Sequence, residues 1–86
     1  MQLDDLLMRY FGVTELEQAG PNALEAGIER ALVDLGLERD GGKRFAVWSM
    51  LYLLGRAPHV DVAFEEERDR DAARRLMELL AASSED

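Results

Sequence analysis

Leu3, Leu6, Leu7, Tyr10 and Phe11 recur at helical spacing and predict a first helix over Leu3–Phe11. Asp4 and Asp5 stand in its first turn, where the helix dipole favours acids, and Asp5 is one turn ahead of Arg9. Gly12 suits the left-handed position just past a helix end, from which Val13 would fold back on Leu7 or Met8. Thr14-Glu15-Leu16-Glu17 has the form of a capping box, so a short second helix to about Ala19 is expected, ended by Gly20-Pro21. Asn22 would then cap a third helix, Ala23–Leu35, whose apolar stripe is Leu24, Ile28, Ala31, Leu32 and Leu35. Gly36 would close that helix and press Leu37 against Leu32. Gly27 lies beside the stripe, where a mid-helix glycine implies a close helix crossing, expected with the fourth helix.

Phe45 to Leu54 is a run of ten uncharged positions, and such a run must be hidden on every side. It is too short to cross a bilayer, which takes about 20 apolar residues, so it predicts a buried central helix over Lys43–Leu54 that encloses Trp48 and Leu51. Gly55 would stop it ahead of Pro58, and Glu38 to Gly42, with two adjacent glycines and no period, reads as a loop. Beyond Pro58, Val60, Val62 and Phe64 precede seven consecutive charges, Glu65 to Asp71, and then the apolar set Ala72, Ala73, Leu76, Met77, Leu79 and Leu80. On one straight helix Phe64 would point roughly 130° away from that later stripe. Two helices are therefore expected, Asp61–Glu67 and Asp69 to about Ala82, with a break near Arg68 and a frayed tail over residues 83–86. The fold class is all-α: four main helices and one or two short ones in a single domain, residues 1–82, around the central helix.

Composition narrows the chemistry. With no cysteine, the chain has no disulfide, thiolate nucleophile or thiolate metal site, and packing must hold it together. The opening residues lack a basic start with an apolar middle, so a cytoplasmic protein is expected. Nine arginines against one lysine, with eleven alanines, fit a GC-rich bacterial genome. The net charge is −8 and it is uneven: residues 1–42 hold nine acids against three bases, residues 43–86 nine against seven. An anionic surface repels phosphate backbones and anionic lipid, which disfavours nucleic acid and membranes as partners.

Individual residues add few candidates. His59 is the one histidine and has Asp61 two positions on, but no nucleophile is adjacent, so a surface loop residue is expected. Glu65, Glu66 and Glu67 cannot converge on one cation from consecutive helical positions, and pairs such as Glu65–Arg68, Glu66–Arg70, Asp71–Arg75 and Arg74–Glu78 suit them better. A helix-turn-helix formed by the third and fourth helices would need polar side chains at base edges, and Phe45–Leu54 offers almost none. Lys43 and Arg44 stand at a helix start, where the dipole disfavours them; Glu38 and Asp40 are expected to hold them, and a phosphate beside Gly41 and Gly42 is the sharper alternative. Size, acidity and helical content are similar to those of acyl carrier proteins. The likeness stops at the prosthetic-group serine, because no serine here follows an aspartate at a helix start.

These residues lead to an expectation of a small acidic regulatory or adaptor protein, not an enzyme, that binds a basic protein surface through Glu15, Glu17 and Glu25 and needs neither cofactor nor metal. Two other readings stay open. One is a ligand pocket or active site between helices, lined by Trp48, Tyr52 and arginines such as Arg56. The other is a structural homodimer that hides leftover apolar surface.

Overall fold

The computed structural model describes residues 3–84 and is all-α. Helix α1 spans Leu3–Phe11, as its periodicity predicts, and buries Leu6, Leu7, Tyr10 and Phe11. Gly12 follows in the left-handed conformation at φ 73°, and its amide bonds Met8 O at 3.0 Å, the single-bond form of helix termination. Val13 then packs against the core.

The second expected helix shrinks to a 3-10 turn, Leu16–Gln18, and the capping box does not form. Two i→i+3 bonds, Gln18 N to Glu15 O and Ala19 N to Leu16 O, close this turn and leave no α-helical amides for Thr14 and Glu17 to cap. Pro21 begins the next helix as well as ending the turn: α2 is Pro21–Leu37, capped by Gly20, with the proline at a position whose amide would be unpaired anyway. Asn22 therefore lies inside the helix rather than capping it.

Helix α2 also passes through Gly36, which keeps a helical backbone, and leaves Leu37 75 % exposed instead of on Leu32. Glu38 makes the turn that the glycine was expected to make. Its amide bonds Asp34 O at 2.8 Å, and its carboxylate accepts from the amides of Arg39 and Asp40 at 3.1 and 3.2 Å. Asp40 then caps α3, Gly41–Leu53, by accepting from the Lys43 amide at 2.9 Å. At the far end Gly55, at φ 74°, bonds Tyr52 O at 3.0 Å while Arg56 N bonds Leu51 O at 2.9 Å, a complete Schellman pair.

Helix α3 is the hub, touching α1, α2 and α5, and it buries Val47, Trp48, Met50 and Leu51. It is not hidden on every side, since Leu53 is exposed. The molecule is a slab of 38 × 35 × 20 Å, and a layer that thin leaves one flank of even its central helix near water. The radius of gyration, 13.0 Å, exceeds the roughly 12 Å typical of this length for the same reason.

The crossing at Gly27 is real, but its partner is α1 rather than α3. A Cβ on Gly27 would lie 2.3 Å from Phe11 Cδ1 and 2.6 Å from Tyr10 O. Glycine lets the two backbones approach.

Two helices do follow Pro58, but the break comes earlier than expected. Helix α4 is only Val60–Ala63, and α5 runs Glu67–Ser84. Phe64 turns to extended backbone and buries its ring against Phe45 and Trp48, with centroids 6.2 and 5.6 Å away, so the chain leaves the helix there. At the C-terminus α5 takes in Ser83 and Ser84, which were expected to fray; Glu85 and Asp86 lie outside the described residues.

Candidate functional site

The cationic side chains are distributed quite differently from the acidic ones. Arg44, half-buried, aims its guanidinium at the ends of two helices, donating to Leu35 O in the last turn of α2, to Glu38 O just after it at 2.9 Å, and to Ala63 O in α4. Arg70 donates to Phe64 O at 3.1 Å and Glu65 O at 2.8 Å, which closes the α4–α5 turn, and Arg30 reaches Arg9 O at 3.0 Å near the end of α1. A helix end leaves carbonyls without amide partners, and a planar cation with several donors satisfies them while complementing the negative dipole. Glu38 and Asp40 thus do not hold Arg44 by ion pairing, as expected from sequence; Glu38 contributes its backbone carbonyl.

The expected pairs in the charged run are replaced too. Arg74 reaches Asp61 at 3.2 Å and Asp71 at 3.5 Å, and Arg68 meets Glu66 at 3.3 Å. Because the helix breaks before Glu67, Glu65 and Glu66 no longer share a helical face with the arginines that follow.

Several acids in each half are unengaged: Glu65, Glu67 and Glu78 of the second half have no ion pair among the described residues. Among the described residues Asp4, Asp5, Glu17 and Glu29 have no ion pair, and Glu15 accepts only from Gln18 Nε2, at 3.4 Å. Of the three residues singled out from sequence, Glu15 and Glu17 are exposed around the 3-10 turn. Glu25, also exposed on α2, is paired with Arg56 at 2.9 Å.

Tyr10 donates to Asp34 Oδ2 at 2.8 Å between α1 and α2, with Arg9 and Arg30 over its ring at 5.6 and 5.9 Å. Burial first, and the Asp34 carboxylate second, push its phenol up to about 12.

A cleft of about 290 Å³ is lined by Trp48, Tyr52, Ala57, Pro58, His59, Val60 and Met77. It contains the two aromatics expected of a pocket, but Arg56 is turned to Glu25 and the Trp48 indole donates to Pro58 O at 2.9 Å. His59 has a local task that its sequence position did not reveal: Nδ1 accepts from the Asp61 amide at 3.2 Å and caps α4. Carboxylates already occupy the start of α3, where a phosphate was the alternative, with Asp40 on the Lys43 amide and Asp69 beside Gly41. Among the described residues, no three histidine or acidic side chains are grouped to hold a metal, and no helix is long and apolar enough to cross a membrane.

The arrangement is that of a small helical protein in which Arg30, Arg44 and Arg70 are turned onto backbone carbonyls, Arg9, Arg56, Arg68 and Arg74 meet acids at the surface, and several acids stand exposed without a cation among the described residues. Compared with known proteins, the chain matches no family model, no curated protein and no solved structure.

Proposed function

We propose that the chain is a cytoplasmic, non-catalytic adaptor that recruits a protein with a basic surface through its α1–α2 side. One observation carries this reading: Asp4, Asp5, Glu15, Glu17 and Glu29 are exposed and have no cationic partner among the described residues, while Arg30, Arg44 and Arg70 are occupied by backbone carbonyls. Unpaired surface carboxylates cost little in water and supply a field that steers a cationic partner. Glu15 and Glu17 are the principal contacts. Glu25 contributes less, because Arg56 offsets its charge.

Capture from a bacterial lysate, run in parallel with the immobilised protein and a Glu15→Lys/Glu17→Lys variant, tests the proposal. A basic protein should be retained by the first and lost from the second. It should also elute between about 0.1 M and about 1 M salt, over which the Debye length falls from about 10 Å to about 3 Å. Equal capture by both chains, or retention indifferent to salt, would overturn it.

A further inference from the structure

Among its described residues α5 encloses only Ala73; Leu76, Met77 and Leu80 are half-buried, and Leu79 is 65 % exposed. With Ala73 facing the core and 100° per residue, Met77 and Leu80 fall within about 40° of it. Ala72, Leu76, Leu79 and Ser83 gather on the adjoining flank, about 60° to 120° away, with Leu76 at its inner edge partly packed on the core and Leu79 and Ser83 exposed. Their spacing of four, three and four residues is that of a coiled-coil seam.

The seam reads the same in both directions: small, large, large, small. Turned about a two-fold axis between Leu76 and Leu79, it sets each Leu76 on the partner's Leu79 and each Ala72 on the partner's Ser83. That is the self-complementarity a two-fold interface demands.

Charge agrees with this occupant. Helix α5 holds four acids, Glu67, Asp69, Asp71 and Glu78, and four arginines, Arg68, Arg70, Arg74 and Arg75, so it is a neutral element in a chain of net charge −8. Two copies meet there with less repulsion than at the acidic α1–α2 side. Direction follows from the rim, where Arg68 and Arg75 border the seam. A parallel pair would stack Arg68 on Arg68 and Arg75 on Arg75. An antiparallel pair separates them by roughly 28 Å and 7 Å along the axis and brings Arg68 toward the partner helix's negative C-terminal end.

We infer that the Ala72–Leu76–Leu79–Ser83 flank of α5 is a self-association surface on which a second copy of this chain docks antiparallel. The inference is independent of the acidic adaptor reading, since it uses a different face.

Sedimentation of the full chain over a range of concentrations should show the 9.7 kDa mass doubling. Leu79→Arg, at an exposed position that leaves the monomer core untouched, should weaken association at least about tenfold while the helical circular dichroism stays unchanged. Orientation can be read directly because the chain has no cysteine. When Ala72→Cys and Ser83→Cys chains are mixed under mild oxidation, the mixed disulfide should dominate over either symmetric one. A mass that stays at 9.7 kDa at every concentration would overturn the inference. So would a dimer indifferent to Leu79→Arg, or an Ala72→Cys chain that couples chiefly to itself.

Discussion

Helices α1, α2 and α3 fit one another at the scale of single atoms, whereas α5 rests on α3 and α4 along a strip and leaves much of its surface in water. In the first region Gly27 has no room for a Cβ, and Trp48 and Leu51 are enclosed on all sides. In the second, an 18-residue helix closes off a single alanine among its described side chains. Their charged residues differ in the same way. Arg44 joins the ends of α2 and α4 through three carbonyls, while Arg68 of α5 meets Glu66 at the surface. The contrast teaches where stability resides in a slab 20 Å thick: in the three-helix seam, while the outer edge of α5 at Leu79 stays exposed.

The strongest way to break the comparison is Leu51→Asp. An unpaired carboxylate at a fully enclosed site costs several kcal/mol, on the order of the whole stability of a small domain, so cooperative unfolding should vanish from thermal melts. A variant that still melts sharply would show that α3 is not the hub. Next comes Gly27→Ala. Alanine is the better helix former, but its methyl would meet both the Phe11 ring and the Tyr10 carbonyl, and a backbone atom yields less readily than a ring. Overpacking of this kind should lower stability by about 1 to 3 kcal/mol in urea titrations, and a more stable variant would show that the crossing is open.

A smaller effect depends on pH. The Tyr10 phenol rises from its ordinary 10.0 to about 12 in the fold, so folding favours the protonated form. Its contribution is therefore complete below pH 10 and is lost as pH climbs from about 10 to about 12, a change on the order of 2 kcal/mol. Tyr10→Phe should flatten the urea midpoint across that window, and an unchanged slope would assign the alkaline loss to another group. Smallest of all is Leu79→Ala, which removes the same atoms as Leu51→Ala from the opposite region. The core deletion should cost about 2 to 5 kcal/mol, the α5 deletion about 0.5 or less when melts are recorded on the monomer. Equal losses would erase the distinction between the two regions.

Much of this architecture was legible in the chain. The bounds of α1, the left-handed stops at Gly12 and Gly55, the central place of α3 and the burial of Trp48 and Leu51 all follow from local rules. Periodicity, glycine's freedom at positive φ and an uncharged run act within a few residues and need no knowledge of the fold. Two further signals were present but pointed elsewhere: Pro21 opens α2, and Asp40 caps α3. The candidate acids were readable only as charges. That Glu25 answers Arg56, 31 residues away, while Glu15 and Glu17 answer no cation among the described residues, depends on how the helices lie together.

The same limit governs the rest. A stripe of apolar residues says which face of a helix leaves water but not which surface receives it, so Gly27 announced a crossing without saying that α1 makes it. Phe64 broke its helix to reach Phe45 and Trp48, and Arg44 found the carbonyls of two other helices. Those choices were made in three dimensions, because side-chain volume, backbone polarity and charge are satisfied between segments, and the fit of one pair of helices decides which faces remain for the next.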